Sequence, residues 1–426
     1  MRTPALLLCV TLLCSTLVAC DDGAAATDSG LASDTPRADG GSPVDGGLPD
    51  ASVDAGASVD AGGADATVEP SVRPIGPRPV TPTELSRGTI FAAPDGGGTA
   101  CTEATPCDLW EAVDQAEAGD VVFMRGGVYD IRRNLSFRGR GTSPAPVIFE
   151  SYPGETAVLE GTRDADDEYY VRIYDDPVVL RLFEIRRMPR AGMSVRTSDN
   201  VLEGLRVYDN LLSGIHVHES YEVPSSNRNL ITDCVVYGNS GAGLSSPEFA
   251  DGGNSDGISM SSGIGNRVEN CLVYDNSDDG IDTWRTTDSY VGYSIVHGSG
   301  IASGNGQGIK AGGAPPSATS VVEHCLAYDN RSAGFDFNSG VGVTFLYNTA
   351  WDNDGSGFYS GDDTRVEHNL ASANGSPFGG GATAESNSWQ RSGTVMFIST
   401  DPGSPDFLRP SVGGGFEDIG AHADRD

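Results

Sequence analysis

Lysine is almost missing: of 27 Lys and Arg residues in a chain of 426, Lys310 is the single lysine and the rest are arginine. Against 60 Asp and Glu the formal net charge is −33. That balance excludes a nucleic-acid binder, because phosphate contacts need clustered cations. Long apolar runs are missing too, since the one stretch, Ala5 to Val18, is too short for a stable membrane span. Residues 21–86 contain no aromatic side chain and are dominated by Ala, Asp, Gly, Ser, Pro and Thr. Such a segment cannot repay the entropy of ordering, and its charge extends it, so it reads as a disordered acidic linker.

What is present is glycine, 57 residues of it, with Asn and Asp recurring just before it, which means many turns. The region after the linker is too long for an ordinary compact core, since single cores stop growing at about 250 to 300 residues. An elongated repeat or an extended all-β fold answers that constraint. The carboxylate excess suits an exported protein and hard cations such as calcium, which take oxygen ligands. It also means that an anionic polymer is held only where Arg, Lys or a bound metal reverses the local sign.

The N-terminus addresses the chain outward. Arg2, the apolar run and Leu17-Val18-Ala19-Cys20 resemble a bacterial lipoprotein signal over 1–20, with Cys20 lipid-modified. The expectation is an extracytoplasmic protein, either tied to the cell envelope, with the outer membrane first, and touching membrane only through the lipid anchor, or secreted behind an ordinary signal. In an exported domain Cys101 and Cys107, six residues apart, predict a small disulfide.

The folded domain is expected over 87–384, with a capping segment and tail over 385–426. Its opening reads as a strand at Thr89 to Ala92, a short amphipathic helix over Asp108 to Ala118 and a strand at Asp120 to Met124. A helix followed only by short strands caps one end of a stack. Repeats then become legible. Tyr208-Asp209-Asn210, Tyr237-Gly238-Asn239, Tyr274-Asp275-Asn276, Tyr328-Asp329-Asn330 and Trp351-Asp352-Asn353 share one pattern, and His297-Gly298-Ser299 is a worn copy. After each comes glycine, an apolar residue and a variable one, as in Gly280-Ile281-Asp282 and Gly308-Ile309-Lys310. The steps from Asn239 to Ile258 and from Ser299 to Ile309 are longer than the others, so those two coils carry insertions at one corner.

This is the grammar of a right-handed parallel β-helix. No coil buries its own apolar residues, so Ile215, Ile258, Ile281, Ile309, Phe335 and Phe358 are predicted to stack inward, with Asn239, Asn276, Asn330 and Asn353 stacked in a bend. Cys234, Cys271 and Cys325 fall at equivalent positions and read as a further inward ladder; zinc would want a tetrahedron and not a line. If Ile281 and Ile309 point inward, Asp282 and Lys310 point outward on adjacent coils, about 5 Å apart. Asp278 and Asp279 lie in the turn entering that strand, and Asp256 lies at the same entry one coil earlier. Four carboxylates beside one amine call for a neutralising cation, and calcium accepts six to eight oxygens in flexible geometry.

From about Gly88 to Asn374 the chain resembles the family 9 pectate lyases. The resemblance rests on the helical cap, Gly126-Gly127-Val128-Tyr129, Tyr152-Pro153-Gly154 and the Tyr-Asp-Asn coils. Its specific part is Ser255-Asp256-Gly257-Ile258, Asp278-Asp279-Gly280-Ile281-Asp282 and Gly306-Gln307-Gly308-Ile309-Lys310-Ala311-Gly312-Gly313. It implies a calcium-dependent lyase that cleaves a uronic-acid polymer, pectate first, by β-elimination. Asp256, Asp278, Asp279 and Asp282 would hold the calcium and Lys310 would be the base. Ile281 departs from the tryptophan or other bulky residue usual in that family. Trp284, Arg285 and His216 lie on or near the outward ladder and are candidate sugar contacts. The expected partner is an acidic polysaccharide, bound by a monomer.

Three alternatives share parts of this pattern. A non-catalytic cell-surface β-helix would bind polysaccharide and keep the coils and calcium without needing Lys310. A β-helix glycoside hydrolase would draw paired carboxylates from Asp278, Asp279 and Asp282 and leave Lys310 no role. A protein-binding solenoid would show a broad exposed apolar face.

Overall fold

The computed structural model describes residues 73–139, 145–175, 177–219, 226–246, 249–313 and 319–424. The repeats wind as coils of three short strands, for example Val201–Glu203, Arg206–Tyr208 and Ile215–Val217, each paired in parallel with the coil before and the coil after. Among the described residues the three sheets hold 12, 10 and 10 strands. The fold is the expected all-β parallel β-helix. Cys20 and the expected linker as far as residue 72 lie outside the described residues.

Register makes the interior. Ile215, Ile258, Ile281, Ile309, Phe335 and Phe358 pair in succession along the third sheet, and all are 0 % exposed. Each such side chain contributes about 1.5 to 3 kcal/mol by leaving water, but only because its neighbours in adjacent coils supply the apolar walls.

The corners explain the repeat signature. From the strand Glu184–Arg186 onward, the residue after each second-sheet strand takes left-handed backbone, with φ of 55° at Asp209, 52° at Asp275 and 53° at Asp329, a region that Asp, Asn and Gly tolerate best. The asparagine that follows turns inward. Oδ1 of Asn239 accepts from the backbone N–H of Asn210 at 3.2 Å and from its Nδ2 at 2.8 Å, and Asn276 does the same for Asn239 at 3.2 and 2.9 Å. At the other second-sheet corner Cys234, Cys271 and Cys325 are buried and unbridged, with Ser294 filling the same place in the worn coil. They form a line of thiols.

One end is closed by the helix Leu109–Gln115, shorter than the predicted span. Asp108 caps it by accepting the N–H of Glu111 at 2.8 Å, and Leu109, Ala112 and Val113 are buried. A disulfide joins Cys101 and Cys107. At the other end Trp389 lies 5.3 Å from the Phe378 ring and 5.4 Å from Phe358.

Two segments depart from expectation. Residues 73–86, which composition assigns to the linker, run along the edge between the first two sheets. Arg73 bonds Glu269, the Gly76 N–H donates to Tyr293 O at 2.7 Å, Arg78 grips Asp233 at 2.8 and 2.7 Å, and Thr83 donates twice to buried Glu150. Composition averages this strap with the acidic run before it, although Arg73 and Arg78 break that run. The tail does more than cap: Trp389 packs on the last coils, and beyond it the chain also lies along the second sheet. There Phe407, Leu408 and Ala421 cluster with Leu326 and Tyr328, and Phe416 and Ile419 with Leu370.

Asn276→Ala leaves the donors of Asn239 buried and unpaired. A loss of about 2 to 4 kcal/mol is expected in chemical denaturation, whereas a loss under half a kilocalorie would mean that the ladder carries no stability.

Candidate active site

The outer face of the third sheet carries the chemistry. In register, one residue per coil, stand His216, Ser259, Asp282, Lys310, Asp336 and Tyr359. A second row, at the corner entering these strands, holds Asp256, Asp279 and Gln307, each just before a glycine. The glycine is required: a Cβ on Gly280 would lie 2.1 Å from Cγ1 of Val296 and 2.6 Å from the Gly308 carbonyl oxygen. That close approach lets the corner residue and the strand residue three positions later face the same point.

Carboxylate oxygens of Asp256, Asp279 and Asp282 lie within 4.8 Å of one another, all three residues being buried. Lys310, 7 % exposed, places Nζ 3.1 Å from Asp279 Oδ2 and 3.4 Å from Asp282 Oδ2. The Asp256 carboxylate accepts the N–H of Asp279 at 3.2 Å, Asp279 that of Gln307 at 2.8 Å, and Asp282 that of Trp284 at 2.8 Å. Asp278, expected as a fourth member, is not in this group. Its carboxylate turns to the inserted 300–306 corner and accepts the N–H of Asn305.

Two residues of this face escaped sequence reasoning. Asp336 flanks Lys310 on the next coil and accepts the Asn338 N–H at 2.6 Å. Gln307 takes the corner position that aspartate holds in the two preceding coils, and its Nε2 lies 3.5 Å from Asp336 Oδ2. The signal for Asp336 was present, because Gly334-Phe335-Asp336 copies the pattern around Lys310.

The candidate sugar contacts separate. Trp284 is half-buried beside Asp282, its ring over Gly313, where a Cβ would stand 2.1 Å from Cδ1 of the indole. The Arg285 guanidinium is 5.3 Å from that ring. His216 sits three coils from Lys310, 2.8 Å from Ser261 Oγ and stacked on His218 at 4.4 Å. Burial lowers its pKa to about 4, so it is neutral.

Charge dominates the site. Burial, then the neighbouring carboxylates of Asp282 and Asp279, holds Asp256 well above the ordinary value of 3.8. Burial and then Asp279 push Asp278 up to about 10. Burial raises Asp282 to about 7 although Lys310 opposes the rise. Burial alone would lower the Lys310 pKa, but the carboxylates of Asp282, Asp279, Asp256 and Asp278 outweigh it and hold the amine above its ordinary value. One amine does not balance this many acids. The donors are all oxygen, buried and converging, which is the set a hard divalent cation takes.

Fold and site together define a parallel β-helix protein with an acidic, lysine-bearing patch on one sheet. The chain belongs to the family described as Pel9A-like, right handed beta helix region, whose model matches residues 90–374. It is 26% identical over 345 residues to pectate lyase PEL9 of Emericella nidulans, covering 67% of this chain and 78% of that one. Its fold resembles that of pectate lyase Pel9A with a TM-score of 0.63 at 22% identity, over 76% of this chain and 89% of the other. It likewise resembles a rhamnogalacturonan lyase with a TM-score of 0.65 at 20% identity, over 79% of this chain and all of that one. Among the described residues no helix is long and apolar enough to cross a membrane.

Between the ordinary pKa of 3.8 and the folded value of about 7 for Asp282, the folded chain keeps a proton that the unfolded chain has lost. Stability therefore falls as pH rises through that window, and Asp278 extends the fall toward about 10. The buried histidines oppose this at first: His216 and His297 are lowered to about 4, so the unfolded chain keeps their protons up to 6.5 and the folded chain does not, and the acids act unopposed only above that pH. In chelator the thermal midpoint is expected to be lower at pH 9 than at pH 7, with the difference reduced in Asp278→Asn. A flat or rising midpoint would contradict this balance.

Proposed function

We propose that this protein is a polysaccharide lyase that cleaves an acidic uronic-acid polymer by β-elimination, with polygalacturonate the first candidate and Lys310 the base. The observation that carries the reading is the position of the chain's one lysine, buried within 3.1 Å of Asp279 and 3.4 Å of Asp282 in a family whose relatives include pectate lyases.

Asp256, Asp279 and Asp282 would hold a calcium ion, with Asp278 adding negative charge behind them. The bound ion would draw electron density from a uronate carboxylate and favour loss of the adjacent C5 proton. Lys310 accepts that proton, which requires its amine to be neutral. In the structure the aspartates keep it charged, so compensation of their charge is what lowers the Lys310 pKa and frees the base. As the C5–H pair forms the new C4–C5 double bond, the O4 leaving group departs with the bonding electrons of the C4–O4 bond. Trp284 and Arg285, beside Asp282, would contact the sugar in that subsite. A hydrolase would gain nothing from Lys310.

The product's double bond, conjugated to its carboxylate, absorbs in the ultraviolet, whereas a hydrolase product does not. On polygalacturonate with calcium, absorbance is expected to grow, to rise toward alkaline pH and to stop on chelation. Lys310→Ala is expected to lose activity by about a hundredfold or more while a calorimetric calcium titration still shows one site. Asp279→Ala is expected to lose that site. Absence of unsaturated product from pectate, alginate and glycosaminoglycan substrates, or an active Lys310→Ala, would leave a polysaccharide-binding solenoid as the better account.

We further propose that the chain is exported and lipid-anchored at Cys20, with the acidic segment as its tether, and acts as an extracytoplasmic monomer. Metabolic labelling with a fatty acid is expected to mark the full-length protein and not Cys20→Ser; recovery of unlabelled, released wild type would refute the anchor.

A further inference from the structure

The outer face of the third sheet continues past Lys310 toward the C-terminal coils. One coil on, the row carries Asp336, and two coils on it carries Tyr359. Two coil steps of about 4.8 Å put Tyr359 roughly 10 Å from Lys310 along the axis. Its side chain is 45 % exposed, and among the described residues every other aromatic side chain is buried or partly buried. Resting on the lyase reading, we propose that the Tyr359 ring is a stacking subsite for a sugar of the same polymer, two units from the sugar over Lys310. The enzyme then takes chains long enough to reach that ring in preference to short oligomers.

Neighbours brace the ring without covering it. On the preceding coil Phe337, itself packed partly buried against the core, stands 6.0 Å away with its plane tilted by 49°. On the following coil the residue paired in register is Gly379. A Cβ there would stand 3.0 Å from Cδ2 of the tyrosine ring. Backbone does not demand glycine at that position, because left-handed φ falls on the next residue, Gly380, at 86°. The missing side chain therefore serves the ring, which gains room to lie close to the sheet. A ring braced in this way has little freedom left to lose on binding, and tyrosine has few rotatable bonds at the outset.

Each position in the row suits a different part of a sugar. Beside Lys310 a cation on the aspartates would take the uronate carboxylate. At Asp336, oriented by the Asn338 N–H at 2.6 Å, a second carboxylate is repelled, so the sugar there turns hydroxyl groups to the sheet for Asp336 to accept. At Tyr359 the contact is apolar, the C–H face of a pyranose against an aromatic face. The coil spacing is close to the advance of a pyranose chain per sugar, so successive sugars meet successive coils. In a protein of net charge −33 a polyanion is repelled over most of the surface, and a contact that needs no charge is one that holds it away from the cation.

The test uses the calcium-loaded full chain carrying Lys310→Ala to prevent turnover, with calorimetric binding of a galacturonate dimer and hexamer. Tyr359→Ala on that background is expected to weaken the hexamer about tenfold, the scale of one aromatic contact, and to leave the dimer as it was. Tyr359→Phe keeps the ring and is expected to keep the hexamer affinity. Gly379→Val crowds the ring without removing it and is expected to lower that affinity, again with the dimer unchanged. A hexamer affinity within about twofold of the parent in Tyr359→Ala overturns the subsite. So does an equal loss for dimer and hexamer, a loss in Tyr359→Phe as large as in Tyr359→Ala, or no binding of the hexamer to the parent. Failure of the lyase reading is separate: it shows as absent unsaturated product from the wild type, whatever the length dependence of binding.

Discussion

Parallel backbone pairing between successive coils is the constraint on which the rest depends. Once Ile281 is paired with Ile309 and Asp282 with Lys310, the side-chain direction of every residue in those strands is fixed, because a slip of one residue would exchange the interior row for the exterior one. The interior row cannot tolerate that exchange, since it would expose a ladder of isoleucine and phenylalanine and bury an ion cluster without its partners. The site is thus held in place by the packing behind it. The asparagine ladder adds to this, because an amide that bonds the next coil's asparagine both fixes the corner and satisfies polar groups with no water to turn to.

Much of this was legible because the repeat is a direct image of the register. The inward ladder, the asparagine bend, the cysteine line and the outward placement of Asp282 beside Lys310 all follow from spacing and strand alternation. What was not legible depends on chain direction at corners and on contacts between distant segments. Asp278 and Asp279 are neighbours in sequence, yet one backbone step at the corner sends the first toward the inserted loop and the second toward Lys310. Asp336 shares the register of Lys310 on the next coil, but its coil carries no insertion to mark it in the sequence. The strap over residues 73–86 has the composition of a linker, and only its arginines, reaching Asp233 and Glu269 across more than 150 residues of sequence, reveal that it is part of the fold.

Electrostatics divides the molecule unevenly. The bulk of the surface is acidic, and arginines are mostly spent in pairs with carboxylates, such as Arg125 with Glu155 and Arg186 with Glu160. Exposed pairs of this kind add little stability. The buried aspartates are different, because their mutual repulsion cannot be screened by water, and their raised pKa values record a fold that tolerates strain at one point. Such tolerance is affordable where the scaffold on all other sides is a continuous stack.

The identity of the one lysine then gains meaning from its alternatives. Arginine stays protonated throughout the range in which proteins function, whereas an ammonium can give up its proton when its surroundings change sign. A chain that uses arginine at every other cationic position keeps lysine where an arginine would pair equally well with Asp279 and Asp282 but never release its charge. If the group served only to neutralise the aspartates, the planar fork would be the better partner for two carboxylates. Retaining the group that can be deprotonated, at a point where several acids hold the proton on, fits a base that is idle until their charge is compensated.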